Sequence, residues 1–293
     1  MNKLLIASIL VPSLLLPVTA FAAGKAVDEK LATGPAPAVT IENTRGEIAI
    51  EGWQESTVQI TGTLDEKAKR LIFTANDDEV RIKVETPKNL RGGVGSNLVI
   101  KLPVGASIDV EGVSTDYSVQ GVEGDVEVDS VSGDVTVKGA RSTLDLEVVS
   151  GDIEVTDHSG ELYLESVSGD ITYAGSPTII EVESVSGDVE LNTEGEVAEI
   201  EFENVSGDID FEGRVAKGVR ISAEAVSGDI SINTLGSADV EIEVETLSGD
   251  ITNGLSDDKP EHGEFVGSTL TGRAGKGSGS IEVETISGNV ELK

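Results

Sequence analysis

The chain is 293 residues long, with 54 acidic against 21 basic residues and a formal net charge of −33. It contains no cysteine, which excludes a disulfide framework, thiolate metal ligation and a thiol nucleophile. A surface this acidic repels nucleic acid and anionic lipid, so direct partners are expected among cations and basic surfaces.

Met1 to Ala22 reads as a secretory signal. Lys3 supplies the positive start, Leu4 to Leu16 the apolar stretch, and Ala20-Phe21-Ala22 a small-x-small cleavage site. Pro12 and Pro17 interrupt a run already short for a membrane span, and no later segment is apolar enough to insert. The mature chain is expected to begin near Ala23 and to be exported, as a periplasmic or secreted cell-surface protein. Residues 23–38, with Pro35 and Pro37, read as a flexible leader. From Val39 to Gly112, short alternating runs such as Thr40-Ile41-Glu42, Val58-Gln59-Ile60 and Leu98 to Leu102 predict an irregular β N-terminal cap or early coils. Such a cap would cover the end of a stacked fold against edge pairing.

Residues 113–293 repeat. Ser-Gly-Asp begins at 132, 150, 168, 186, 206, 227 and 248, and Ser287-Gly288-Asn289 closes the series. The spacings are 18, 18, 18, 20, 21, 21 and 39, and a degenerate Ser114-Thr115-Asp116 lies 18 residues before the first copy. One repeat of this size cannot bury its own apolar face, so the copies must stack. In Leu162 to Tyr173, apolar residues two apart mark a strand on each side of Ser168-Gly169-Asp170. There glycine supplies a positive φ, while serine and aspartate bond nearby backbone N–H groups, so the tripeptide is a corner. Val167 and Ile171, flanking it, are both expected to be buried. The predicted fold is all-β, a parallel β-helix (β-solenoid) of 18- to 21-residue repeats. Asp257 to Pro260 and Gly272 to Gly279 lie in an extended loop over 255–280. An antiparallel sandwich would also give short, evenly spaced strands but has no reason to repeat one tripeptide.

Val131-Ser132-Gly133-Asp134-Val135 and its copies resemble the hallmark of the adhesin family of bacterial β-strand repeat proteins. Gly46 to Trp53, the Leu102-Pro103-Val104-Gly105 turn and the stretch from Gly277 to Leu292 extend the resemblance over nearly all of the mature chain. It implies a β-helical surface protein. Thr115 in place of glycine and Asn289 in place of aspartate depart from the motif in what are expected to be the outermost, capping copies.

Enzyme chemistry finds little support in the sequence. Of the two histidines, His158 sits in a sequence that reads as a solvated turn and His262 in the loop, and neither has zinc-ligand spacing. Gly275 to Gly279 lacks the spacing and helix of a phosphate loop. Tyr173, Phe202 and Phe211 occupy positions filled elsewhere by aliphatics and are expected in the core; Trp53 could serve as a sugar platform. A polysaccharide-acting β-helix enzyme would need loops walling a cleft, which repeats this short do not supply.

Two carboxylate columns remain. One is Asp134, Asp152, Asp170, Asp188, Asp208, Asp229 and Asp250; the other, three residues before each serine, includes Glu147, Glu165 and Glu183. Stacked about 4.8 Å apart, like-charged neighbours repel by about 1 kcal/mol even in water. Either the aspartates bond backbone N–H groups at the corner while the glutamates stay in water, or the columns take up a divalent cation such as calcium. The function expected is that of a non-enzymatic envelope or surface protein, an adhesin or scaffold binding an envelope protein or glycan. The alternatives are an envelope-stress sensor or regulator with a protein partner and, remotely, a polysaccharide enzyme.

Overall fold

The computed structural model describes residues 24–89, 92–236, 238–263 and 267–293. The expected signal from Met1 to Ala22 lies outside them. Every regular element described is a β-strand. Within the repeats each coil contributes two strand segments joined at the Ser-Gly-Asp corner, and equivalent residues of successive coils pair in parallel. Before the corner, Val128, Leu146, Leu164, Val182 and Phe202 stack in register. After it, Val135, Ile153, Ile171, Val189, Ile209 and Ile230 do the same. These residues are buried, together with Tyr173, Phe202 and Phe211 as expected, and form a core column inside the coils. The fold is thus an all-β stack of repeated strand units with solenoid-like sheet bonding. Parallel pairing of the repeats removes the antiparallel sandwich.

The tripeptide is explained by how closely the coils approach one another. Gly169 has φ 142°, and a Cβ there would lie 2.0 Å from the carbonyl oxygen of Gly151 in the preceding coil. Only glycine tolerates both the conformation and the contact. Even at the corner the backbone remains paired: the Gly151 N–H donates to the Ser168 carbonyl at 3.1 Å, and the Gly169 N–H to that of Ser186 at 3.2 Å.

Three expectations change at the ends. Residues 26–32 form a strand, Ala26–Ala32, antiparallel to Thr57–Thr63, so this part of the leader is fixed. Val27 is buried, and Lys30 both pairs with Glu55 at 2.6 Å and lies 4.6 Å over the ring of Trp53. That cover leaves the indole partly enclosed rather than free as a platform. Residues 255–280 are not simply a loop either: Ser268–Ala274 runs antiparallel to Val240–Ser248, and Glu261–His262 pairs with it.

The third change concerns coil order. The strand Gly279–Ser287 inserts between Arg220 to Ser227 and Val240–Ser248, pairing in parallel with both. The copy carrying Asn289 is therefore internal, and the 39-residue spacing is the path out to the end coil and back. Ala38–Trp53 is likewise enclosed, between Ser107–Gln120 on one side and the strands Glu79–Glu85 and Ser96–Pro103 on the other. Antiparallel strands cover the stack at both ends, which protects the parallel edges from further pairing.

Candidate functional site

The strand before each corner alternates strictly. Leu162, Leu164 and Ser166 face inward, which turns Glu165 and Val167 outward. Because the register is kept from coil to coil, each outward position becomes a row along the stack. Asp129, Glu147, Glu165, Glu183, Glu203, Glu224, Glu284 and Glu245 pair as successive neighbours. Beside them Val149, Val167, Val185, Val205, Val226, Ile286 and Leu247 form an exposed aliphatic row. Between the rows lie small buried residues, among them Ser166, Ser184, Ala225 and Thr246. The three rows enclose a groove of about 810 Å³ running from the coil of Glu147 to that of Glu245, where Glu261, His262 and Thr269 border its end.

The expected burial of Val167 is corrected. It is 47% exposed, whereas Ile171 is 1% exposed. The aliphatic row is the functional feature that sequence reading missed. Its signal was present, since a period of two counted from Leu162 puts 167 outside.

The groove's carboxylates are uncompensated. Nearby bases are engaged elsewhere: Arg141 pairs with Asp157 at 3.0 Å, Arg220 with Glu199 at 2.7 Å and Arg273 with Glu241 at 2.8 Å. No groove glutamate has an ion-pair partner among the described residues. Burial, then Glu183 and Glu147, raise the pKa of Glu165; burial, then Glu147 and Glu127, raise that of Asp129. Glu181, one outward position further out, is raised by burial and then by Glu201 and Glu183. By contrast, Glu42 is lowered by its hydrogen bonds and charge contacts with Lys83 and Arg81.

The aspartate column does different work. The backbone N–H of Asp152 donates to Oδ1 of Asp134 at 3.0 Å, that of Asp170 to Asp152 at 3.0 Å and that of Asp188 to Asp170 at 3.0 Å. Asp208 donates to Asp188 at 2.9 Å and Asp229 to Asp208 at 2.8 Å. Asn289 continues the ladder, its N–H on Asp229 Oδ1 at 2.7 Å and its own Oδ1 accepting from Asp250 at 3.0 Å. The carboxylates from Asp134 to Asp229 thus each bond a backbone N–H of the neighbouring coil, whereas Asp250 enters the ladder through its own N–H. None of these aspartates lines the groove, so the structure does not bring the two columns into one site. Among the described residues no group of three or more Asp, Glu or His side chains is disposed to hold a metal ion.

His158 is not a solvated turn residue. It is buried, with Nε2 2.9 Å from the Ser142 carbonyl and Nδ1 3.1 Å from the Tyr173 hydroxyl. With Nε2–H donating and Nδ1 accepting from the phenol, the neutral ring is satisfied, and burial lowers its pKa. His262 is exposed at the end of the groove, with Nδ1 2.9 Å from Ser268 Oγ. No helix among the described residues is long and apolar enough to cross a membrane.

A family model described as Toastrack DUF4097 matches residues 37–293. Among solved structures the chain is similar to a candidate cell adhesion protein from Clostridium sporogenes ATCC 15579. The two share 13% identity over 92% of this chain and 100% of the other, at a TM-score of 0.22, too low to carry an argument. No curated protein matches the chain.

Proposed function

From the premise that this chain belongs to the Toastrack DUF4097 family, we propose that it is an exported, non-enzymatic module of the cell envelope. It acts as an adhesin or scaffold that binds an envelope protein or glycan through its groove. The observation that carries this reading is the aliphatic row. Seven coils expose a Val, Ile or Leu at one position and line the groove with it. A contiguous apolar strip of this kind marks an interaction surface, whereas scattered exposed aliphatics do not. The chemistry along the groove supports binding over catalysis. Each coil repeats a glutamate and an aliphatic residue, and both ring nitrogens of His158 are taken up, by the Ser142 carbonyl and the Tyr173 hydroxyl.

Labelled mature protein should bind isolated envelopes saturably. The triple variant Val167→Ser/Val185→Ser/Val205→Ser should lose most of that binding while keeping its unfolding transition. Protease treatment of the envelopes then distinguishes a protein partner from a glycan. Undiminished binding by the triple variant would refute the groove as the binding surface. N-terminal sequencing of the mature chain is expected to start near Ala23; an intact Met1 on cytoplasmic protein would refute export.

A further inference from the structure

Charge and pitch narrow what the groove can hold. One wall carries seven glutamates with no ion-pair partner among the described residues, and the other carries the aliphatic row. An occupant must therefore present positive charge along one side and apolar surface along the next. The seven coils, about 4.8 Å apart, span about 29 Å. An extended chain laid along that axis brings a side chain back to the same face every ~6.7 Å and falls out of step with the coils. An α-helix returns to one face every ~5.4 Å and so drifts by only ~0.6 Å per coil, against ~1.9 Å for the extended chain, and about 19 residues cover the length. We infer that the groove docks a cationic amphipathic helix of a protein partner, its apolar stripe on Val167, Val185 and Val205 and its lysines or arginines on Glu165, Glu183 and Glu203. The hairpin bearing Glu261 and His262 marks one end of the helix.

The two walls contribute differently. The glutamates are exposed, so their attraction speeds encounter and is screened by salt. The aliphatic row, already half-covered by its neighbours in the stack, supplies the surface removed from water. A small cation would neutralise the first wall and leave the second unused. Anionic lipid would be repelled by the first.

This inference rests on the groove being the binding surface proposed above. The test uses the whole mature protein and a synthetic 19-residue peptide with a leucine stripe flanked by lysines, compared with a scrambled peptide of the same composition. Anisotropy titration should give saturable binding of the patterned peptide, and circular dichroism should show its helicity rising on binding. Val167→Ser/Val185→Ser/Val205→Ser and Glu165→Gln/Glu183→Gln/Glu203→Gln should each weaken the Kd by about tenfold or more, the second also lowering the salt dependence where the first leaves it unchanged. The control Glu154→Gln/Glu190→Gln/Glu212→Gln, on the strands beyond the corner, should leave it unchanged. Equal binding of the scrambled peptide, or equal weakening by the control, would reduce the effect to diffuse attraction by a net charge of −33 and overturn the inference. Failure of the peptide to bind would overturn it as well. If envelope binding still required the aliphatic row, the groove reading would stand with a different occupant; if that requirement were also absent, both would fall.

Discussion

Val167 and Ile171 are both β-branched, stand four residues apart on either side of one corner, and meet opposite environments, 47% and 1% exposed. Replacing Ile171 with aspartate buries an unpaired charge between Ile153 and Val189 and should cost about 4 kcal/mol or more. The same change at Val167 should cost less than about 1 kcal/mol, because the carboxylate reaches water. Urea midpoints compare the two directly, and equal shifts would contradict the register. Protonation discriminates residues on the same footing. Glu165 and Glu181 have folded-state pKa values raised above the ordinary 4.5, so the folded form takes up protons more readily than the unfolded chain. Their contribution to stability is full below that value and is lost as the pH rises through the raised ones. His158 behaves oppositely: its lowered value means that its contribution is present above 6.5 and is lost as the pH falls below it. The double variant Glu165→Gln/Glu181→Gln should therefore flatten the loss of stability as the pH rises above 4.5, and a slope unchanged by it would place the charge strain elsewhere.

At the scale of the element, the corner shows what a sequence can reveal and what it conceals. The alternation on either side of Ser168-Gly169-Asp170 and the need for glycine were legible because both are local: period two, and a corner that takes a positive φ; the close approach of the Gly151 carbonyl, from the preceding coil, was not. The destination of the aspartate's hydrogen bond was not legible, because its partner is the neighbouring coil, 18 residues away for Asp152 and Asp170. Nor was the place of Gly279–Ser287, since strand order at the ends depends on which edge is left to be covered rather than on the motif. His158 read as solvated for a similar reason: Ser142 and Tyr173, which satisfy it, come from two other turns of the chain. The ladder accounts for the aspartates through backbone N–H groups. Calcium and sodium chloride at matched ionic strength should accordingly raise Tm equally, by screening. A calcium excess that disappears in Asp152→Asn/Asp170→Asn/Asp188→Asn would instead show ion binding along the column.

Across the whole molecule, parallel coils between two antiparallel ends convert a residue-level alternation into rows long enough to meet another macromolecule. The acidic character that composition announced is organised on the strand face before the corners, where Glu127, Asp145 and Glu181 stand beside the groove glutamates. From Val113 to Gly254 the bases are Lys138, Arg141, Arg214, Lys217 and Arg220, and those with ion pairs, Arg141 and Arg220, take partners outside the groove. The excess charge therefore remains available to a partner. The existence of the stack could be read from the repeat, but its groove could not, because the groove exists only once the residues at 149, 167 and 185 are aligned by pairing. Site-specific photo-crosslinking in intact cells tests the central claim most directly, with the photoreactive side chain placed at Val185 in the aliphatic row or at Glu190 on the strand beyond the corner. A discrete adduct from position 185 and none from position 190 is the expected result. Equal adducts from both positions, or adducts from position 190 alone, would contradict the groove as the binding surface.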